Sequence, residues 1–128
     1  MRAEIEVKEV TQTVKTGFFS KETQTIYSVY PHLTFTNEEK AALSKSQLWE
    51  RVAHVHHAQL TPREMELAGG DNTISYTITH FAQPNFAVTF LDAREANDFA
   101  ELLEKKILPT IKSYVSATTP SGKRVVDL

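Results

Sequence analysis

The sequence predicts one α+β domain: a strongly bent antiparallel β-sheet with short helices in the middle and one long C-terminal helix packed across it. Strand-like alternation dominates residues 3–35, whereas the longest helical pattern follows residue 92. Because strands and helices are segregated along the chain, an antiparallel sheet is favoured over a parallel one. The chain of 128 residues suits a single domain, which we assign to residues 1–115, followed by a C-terminal tail over 116–128.

The N-terminal part of the chain predicts a β-hairpin. Residues 3–10 alternate apolar and charged side chains, the pattern of a strand with one solvated face. The alternation continues over 10–19, with a bend or bulge expected at Gly17. A polar turn over 20–23 leads into a second strand over 25–35, which is rich in β-branched and aromatic residues. Pro31 cannot donate a backbone hydrogen bond, so this strand is expected at an edge or with a bulge. Residues 10–36 are therefore predicted to form a hairpin.

Capping patterns predict where two short helices begin. Thr36 and Glu39 form a reciprocal capping box before a helix over 37–44. Thr61 and Glu64 repeat this spacing, with proline at the favoured first helical position, before one or two helical turns.

The long C-terminal helix is predicted to begin after Asp92. Apolar residues recur at helical spacing over 93–115, which indicates one buried face. Pro109 lacks a backbone N–H and crowds the preceding turn, so a kink or break is expected near 105–109.

Two segments between these helices have less uniform patterns. Residues 48–60 fit helical and strand spacing about equally; we interpret them as a strand and keep a helix as the alternative. Residues 73–82 alternate clearly, a turn follows at 83–85, and 86–91 read as the return strand. They predict a second β-hairpin.

Composition excludes several function classes. The chain has no cysteine, which excludes a disulfide scaffold, a thiolate zinc site and a cysteine nucleophile. A net charge of −2 gives no electrostatic reason to expect nucleic acid or an anionic membrane as a partner. The apolar runs are too short to span a membrane, and the charged N-terminus does not resemble a signal peptide. A cytoplasmic protein is the expectation.

Three neighbouring histidines are candidate metal ligands, since neutral imidazoles bind transition metals well. On a strand, His54 and His56 would project from one face about 7 Å apart. On a helix, His54 and His57 would be the pair instead. We prefer ordinary surface histidines, because no acidic ligand accompanies them at a known spacing. No cofactor is predicted, and a transition metal at these histidines is the alternative.

No catalytic residue is predicted, since the chain contains neither a nucleophile elbow nor a phosphate-binding loop. Tyr76 and His80 share one face of the predicted strand, and with Tyr27 and Tyr30 they are the candidate ligand-binding residues. The element order is similar to that of pleckstrin-homology-like domains and of helix-grip ligand-binding domains. The latter comparison implies an apolar cavity between the sheet and the C-terminal helix.

The hairpin strands carry apolar and aromatic side chains on both faces, which is typical of a surface that meets a partner. We therefore predict a non-catalytic binding or assembly module, a homo-oligomer or a protein bound to a protein partner. The candidate interface residues are Phe18, Phe19, Val125, Val126 and Leu128. The alternatives are a small-molecule-binding protein or enzyme with an apolar cavity, and a histidine-based metal site.

Overall fold

The computed structural model describes residues 1–47, 49, 53–69, 76–118 and 126–127. Over this part of the chain the elements are, in order, β1 (Arg2–Lys15), β2 (Lys21–Thr34), α1 (Asn37–Lys45), α2 (Ala53–His57), α3 (Pro62–Gly69), α4 (Ile78–Ala82), β3 (Val88–Phe90), α5 (Ala93–Leu102), a π-helical segment (Leu103–Ile107) and α6 (Leu108–Thr118).

An antiparallel three-stranded sheet forms one layer, in the order β1-β2-β3. β1 and β2 pair without interruption from Arg2 opposite Thr34 to Lys15 opposite Lys21. The predicted hairpin is confirmed, and the two alternating stretches of the N-terminus are one continuous strand. The predicted turn over 20–23 is wrong in position, because Thr16 and Ser20 close the turn and β2 already begins at Lys21. The C-terminal helical region packs across this sheet, which confirms the α+β class.

Pro31 is accommodated without a bulge. It lies opposite Ile5 in the regular β1–β2 register. β3 reaches β2 only between Tyr27 and Val29, so on that side Pro31 faces no strand among the described residues. The predicted edge or bulge is wrong for the strand as a whole, because β2 is the middle strand of the described sheet and pairs regularly with β1. A residue without an N–H nevertheless fits the locally open side of β2 at Pro31.

The hydrophobic core lies between one face of the sheet and the helices. Val29 and Leu33 come from the odd-numbered face of β2, and side chains on alternate positions of a strand share a face. The helices cover them with residues that are almost fully buried: Leu43, Ile78, Phe81, Ala96, Phe99, Leu102, Leu103, Ile107, Ile111 and Val115.

The predicted irregularity of the C-terminal helix is present as a wider turn. The Leu108 N–H bonds to the Leu103 carbonyl, five residues earlier, within the π-helical segment. This segment lies directly before the first turn of α6, where Pro109 cannot supply an N–H to the α-helical pattern. The helix then continues to Thr118, three residues into the predicted tail.

The predicted strand over 73–82 is wrong where the structure describes it. Residues 78–82 form α4, and 73–75 lie outside the described residues. Ile78 and Phe81 are both buried, which is the i, i+3 spacing of a helix face. The predicted return strand shrinks to β3, which pairs with β2 instead.

The interpretation of residues 48–60 as a strand is also wrong over its described central part, because α2 is a helix. Val55 in α2 and Ala58 directly after it are both buried, again three positions apart. Residues 48 and 50–52 lie outside the described part of the chain.

Both predicted capping boxes are confirmed. In the first, the Glu39 N–H donates to Thr36 Oγ1 at 3.2 Å, and the Thr36 N–H donates to Glu39 Oε1 at 2.9 Å. The Glu39 carboxylate also accepts from the Met1 ammonium at 2.9 Å. Burial acts to raise the pKa of Glu39, but these hydrogen bonds outweigh it and lower that pKa. Glu39 thus fastens the start of β1 to α1.

Candidate functional site

Among the described residues, the most exposed feature is the outer part of the hairpin, residues 10–26, which we call the arm. β3 supports β2 only from Tyr27 to Val29, so the arm lies beyond the three-stranded part of the sheet. Residues 15–23 are all exposed. Six residues of each strand extend the arm by about 20 Å, at about 3.3 Å per residue.

The tip of the arm presents two phenylalanines to solvent. Phe18 is 89% exposed and Phe19 is 99% exposed, with 6.1 Å between their ring centroids. The Thr16 N–H donates to the Ser20 carbonyl at 3.1 Å, which closes the turn beneath them. Lys15 Nζ lies 6.0 Å from the Phe18 ring centroid. The tip is therefore an exposed apolar surface at the end of a hydrogen-bonded hairpin.

β1 is an edge strand of the sheet that the structure describes, and its two halves differ in charge. The inner half carries ion pairs on its solvent face, Arg2 with Glu4 at 2.9 Å and Lys8 with Glu6 at 3.6 Å. Charged side chains are a common means of preventing an edge from pairing with other chains. The outer half, residues 10–14, carries no charged side chain.

A groove lies between β1 and the C-terminal helix, with a volume of about 640 Å³. One wall is the odd-numbered face of β1, which includes Ala3 and Ile5, and the other wall includes Leu108 and Pro109. Its remaining lining residues are Met1, Glu104 and Lys112. The groove is thus mainly apolar and borders the free edge of the sheet.

A second groove lies between α3 and α5, with a volume of about 300 Å³. Its cations are paired with its own carboxylates: Lys106 Nζ lies 2.6 Å from Glu64 Oε1, and Arg63 lies 3.8 Å from Asp98. The Lys106 hydrogen bond, followed by that from the Thr61 N–H, lowers the pKa of Glu64 to about 2. In these ion pairs, the positive charges of the groove are balanced by carboxylates of the same groove. This favours a structural role for its charged residues.

Two of the predicted ligand-binding residues lie on opposite faces of the sheet. Tyr27 and Tyr30 are three positions apart on one strand, so their side chains project in opposite directions. Tyr27 lies opposite Phe90 of β3 on the core face. Tyr30 lies on the outer face, where Lys8 Nζ is 5.4 Å from its ring centroid.

The other two predicted ligand-binding residues, Tyr76 and His80, make contacts that support the fold. Tyr76 is 1% exposed, and burial raises the pKa of its phenol. It packs among the rings of Phe81, Phe86 and Phe99 at centroid distances of 5.7–6.5 Å.

His80 Nδ1 accepts a hydrogen bond from the Thr77 N–H at 2.9 Å and so caps α4. His80 and Tyr76 thus do not share a strand face. A ligand-binding role for the four residues stays a prediction.

The three histidines all lie on α2. Because α2 is a helix, the predicted strand arrangement of His54 and His56 on one face does not apply. His56 and His57 are exposed, and the His57 ring lies edge-on to Tyr114 at 5.7 Å. Within the described part of the chain, no three side chains of His, Asp or Glu are grouped so that they could hold a metal ion. The His54 side chain is outside the described part, and the metal site stays a prediction.

The predicted interface residues divide between the arm and the tail. Phe18 and Phe19 form the arm tip, and Val126 is 73% exposed. Val125 and Leu128 lie outside the described residues. The groove beside β1 is not apparent from the sequence, because it joins residues more than 100 positions apart. The uncharged run over 10–14, however, is visible in the sequence.

No protein-family model matches this chain, and no curated protein or solved structure matches it either. Within the described residues, none of the helices has the length and hydrophobicity needed to cross a membrane.

Proposed function

We propose that this protein is a non-catalytic assembly module that associates with further copies of itself through the arm. The observation that carries the proposal is the exposure of Phe18 and Phe19 at the tip of a hydrogen-bonded hairpin. Aromatic side chains are enriched where protein interfaces concentrate their binding energy. The arm tip therefore has the composition of an anchor for a protein contact.

Burial of the tip is energetically favourable. Transfer of one phenylalanine side chain from water to a protein interior contributes about 1.5–3 kcal/mol. A two-stranded hairpin by itself is at best marginally stable in water, so an arm that projects beyond the third strand gains from being covered. A second copy supplies that cover, and the small net charge of −2 opposes association only weakly.

The test is light scattering on size-exclusion-purified, untagged protein over a range of concentrations. The wild-type chain is expected to form a dimer or larger species, and the double variant Phe18→Ser/Phe19→Ser is expected to be monomeric with an unchanged circular dichroism spectrum. Leu91→Ser is the matched control, because Leu91 is 59% exposed and lies outside the arm. A wild-type monomer at every concentration would overturn the proposal.

A further inference from the structure

We propose that two copies of this chain pair through the outer half of β1, antiparallel and about a two-fold axis at Gln12, so that each arm tip reaches the groove beside β1 of the other copy. The inference rests on the proposed self-association and specifies its interface. The occupant of the free sheet edge is thus a second copy of the same strand.

The backbone of β1 offers the required hydrogen-bonding groups. The Thr16 N–H bonds to Ser20 across the hairpin, so even-numbered residues direct their backbone groups at β2. Pro31, an odd-numbered residue without an N–H, faces away from β1, in agreement with this alternation. Thr11 and Thr13 therefore direct their N–H and C=O groups outward, at the free edge.

The sequence of the outer half of β1 reads the same in both directions: Val10, Thr11, Gln12, Thr13, Val14. Antiparallel pairing about Gln12 places each side chain opposite its own type in the second copy. Valine meets valine, and threonine meets threonine in a pair that exchanges two backbone hydrogen bonds. A two-fold interface requires such a self-complementary surface.

Charge selects the same register. Pairing about Gln12 places Glu9 opposite Lys15 of the second copy, and the symmetry repeats this contact. Within its own hairpin, Lys15 lies opposite Lys21, and like charges directly opposite each other destabilise a sheet. The carboxylate of Glu9 from the second copy would offset that repulsion.

Charge disfavours pairing about the centre of the inner half of β1. An axis at Ile5 would place Arg2 opposite Lys8 and Glu4 opposite Glu6, so that both of these pairs are repulsive. The charges of the inner half therefore act against this register, whereas the run over 10–14 has no charge that opposes pairing.

The same register brings the arm tip to the groove. Pairing about Gln12 places Thr16 opposite Lys8 of the second copy, so the turn that follows Thr16 extends towards Ile5 of that copy. Ile5 lines the groove together with Leu108 and Pro109. Four phenylalanines, two from each copy, can bury about 600–1,000 Å². With the paired strands, this area reaches the range of about 1,200–2,000 Å² that specific interfaces bury. The exposed tip and the apolar groove thus complete one interface.

The register is tested by disulfide formation between single-cysteine variants, because the natural chain contains no cysteine. Gln12→Cys places both sulfurs at the axis, with Cα atoms about 4.5–5.5 Å apart, within disulfide range. Lys8→Cys is the matched control on the same face, and its two copies would lie about 26 Å apart. Under mild oxidation, Gln12→Cys is expected to form a covalent dimer rapidly, and Lys8→Cys is not.

The charge contact is tested by reversal of each charge. Glu9→Lys and Lys15→Glu each create two repulsive pairs across the axis and are expected to weaken the dimer about tenfold. The combined variant Glu9→Lys/Lys15→Glu restores attraction and is expected to dimerise within about twofold of wild type. Circular dichroism establishes that each variant is folded.

The outcomes separate this inference from the proposed function. If the wild type self-associates but Gln12→Cys forms no covalent dimer faster than Lys8→Cys does, the register is overturned while self-association stands. If the double charge variant dimerises no more strongly than the two single variants do, the Glu9–Lys15 contact is overturned. If the wild-type chain is monomeric throughout, both proposals fail together.

Discussion

Glu64 shows how one carboxylate can join two helices. Its Oε1 accepts from the Thr61 N–H at 3.0 Å, which caps α3, and from Lys106 Nζ at 2.6 Å, which ties α3 to the C-terminal helix. Both donors favour the ionised form, and they lower the pKa of Glu64 to about 2. The capping role is predictable from the local sequence, whereas the Lys106 contact spans 42 positions and is not.

Glu64→Gln is expected to lower the free energy of unfolding at neutral pH, because glutamine retains the cap but loses the charge that pairs with Lys106. A carboxyl whose pKa is depressed in the folded state stabilises the protein above its ordinary pKa of 4.5. The difference between wild type and variant should shrink as the pH falls from about 4.5 towards about 2. Urea denaturation at several pH values measures it.

Glu66→Gln is the matched control for this experiment, since Glu66 is exposed on the same helix. Its unfolding free energy is expected within about 0.5 kcal/mol of wild type at neutral pH. A wild-type–Glu64→Gln difference that stayed constant between pH 7 and pH 2 would contradict the assignment of the low pKa to Glu64.

At the scale of elements, α5 is the part of the helical layer that contacts the sheet most directly. Phe99 projects from it and is fully buried, with its ring 5.4 Å from Phe90 of β3 and 6.5 Å from Tyr76. This aromatic contact joins the C-terminal helix to the short third strand. The helical periodicity predicts that Phe99 faces the core, but not which strand it meets.

Phe99→Ala is expected to lower the free energy of unfolding by about 3–5 kcal/mol, the cost of the lost contacts and the cavity. Chemical denaturation monitored by circular dichroism measures the change. Leu91→Ala, at a site that is 59% exposed, is expected within about 0.5 kcal/mol of wild type. Equal losses in the two variants would show that Phe99 does not hold the core as described.

The predicted second hairpin illustrates how element-scale prediction fails. Residues 76–82 alternate as a strand does, yet Ile78 and Phe81 also have helical spacing, and a short apolar segment satisfies both patterns. The hydrogen bond from the Thr77 N–H to His80 and the burial of both apolar residues against the core favour the helix. Tertiary packing, which local pattern does not contain, decided between the two.

At the scale of the whole molecule, the chain is divided into a packed body and a projecting arm. The body contains the buried residues, whereas residues 15–23 of the arm are exposed throughout. Segments with few buried contacts open more readily than the core does. Cover by a second copy would thus stabilise the least supported part of the fold.

The midpoint of thermal unfolding is therefore expected to rise with protein concentration, since association stabilises the folded state by mass action. For a chain of this size, a hundredfold increase in concentration should raise Tm by about 2–5 °C. The Phe18→Ser/Phe19→Ser variant should show no such dependence. Differential scanning calorimetry measures both, and a wild-type Tm independent of concentration would count against the dimer.

Features that depend on neighbouring residues can be predicted from the sequence. The β1–β2 hairpin, the capping boxes at Thr36 and Thr61, and the irregular turn before Pro109 all follow from local alternation, capping chemistry and the missing proline N–H. The exposed tip does not belong to this group, because the alternation extends to Phe19 and predicts the turn at 20–23, whereas the structure places the turn at 16–20 and exposes Phe18 and Phe19 there.

Features that join distant segments depend on tertiary packing. That packing makes residues 78–82 a helix, pairs β3 with β2, and brings Leu108 and Ile5 together in the lining of the groove. The physical reason is that burial depends on which surfaces meet, and a single element with an ambiguous pattern takes the conformation that its neighbours can cover.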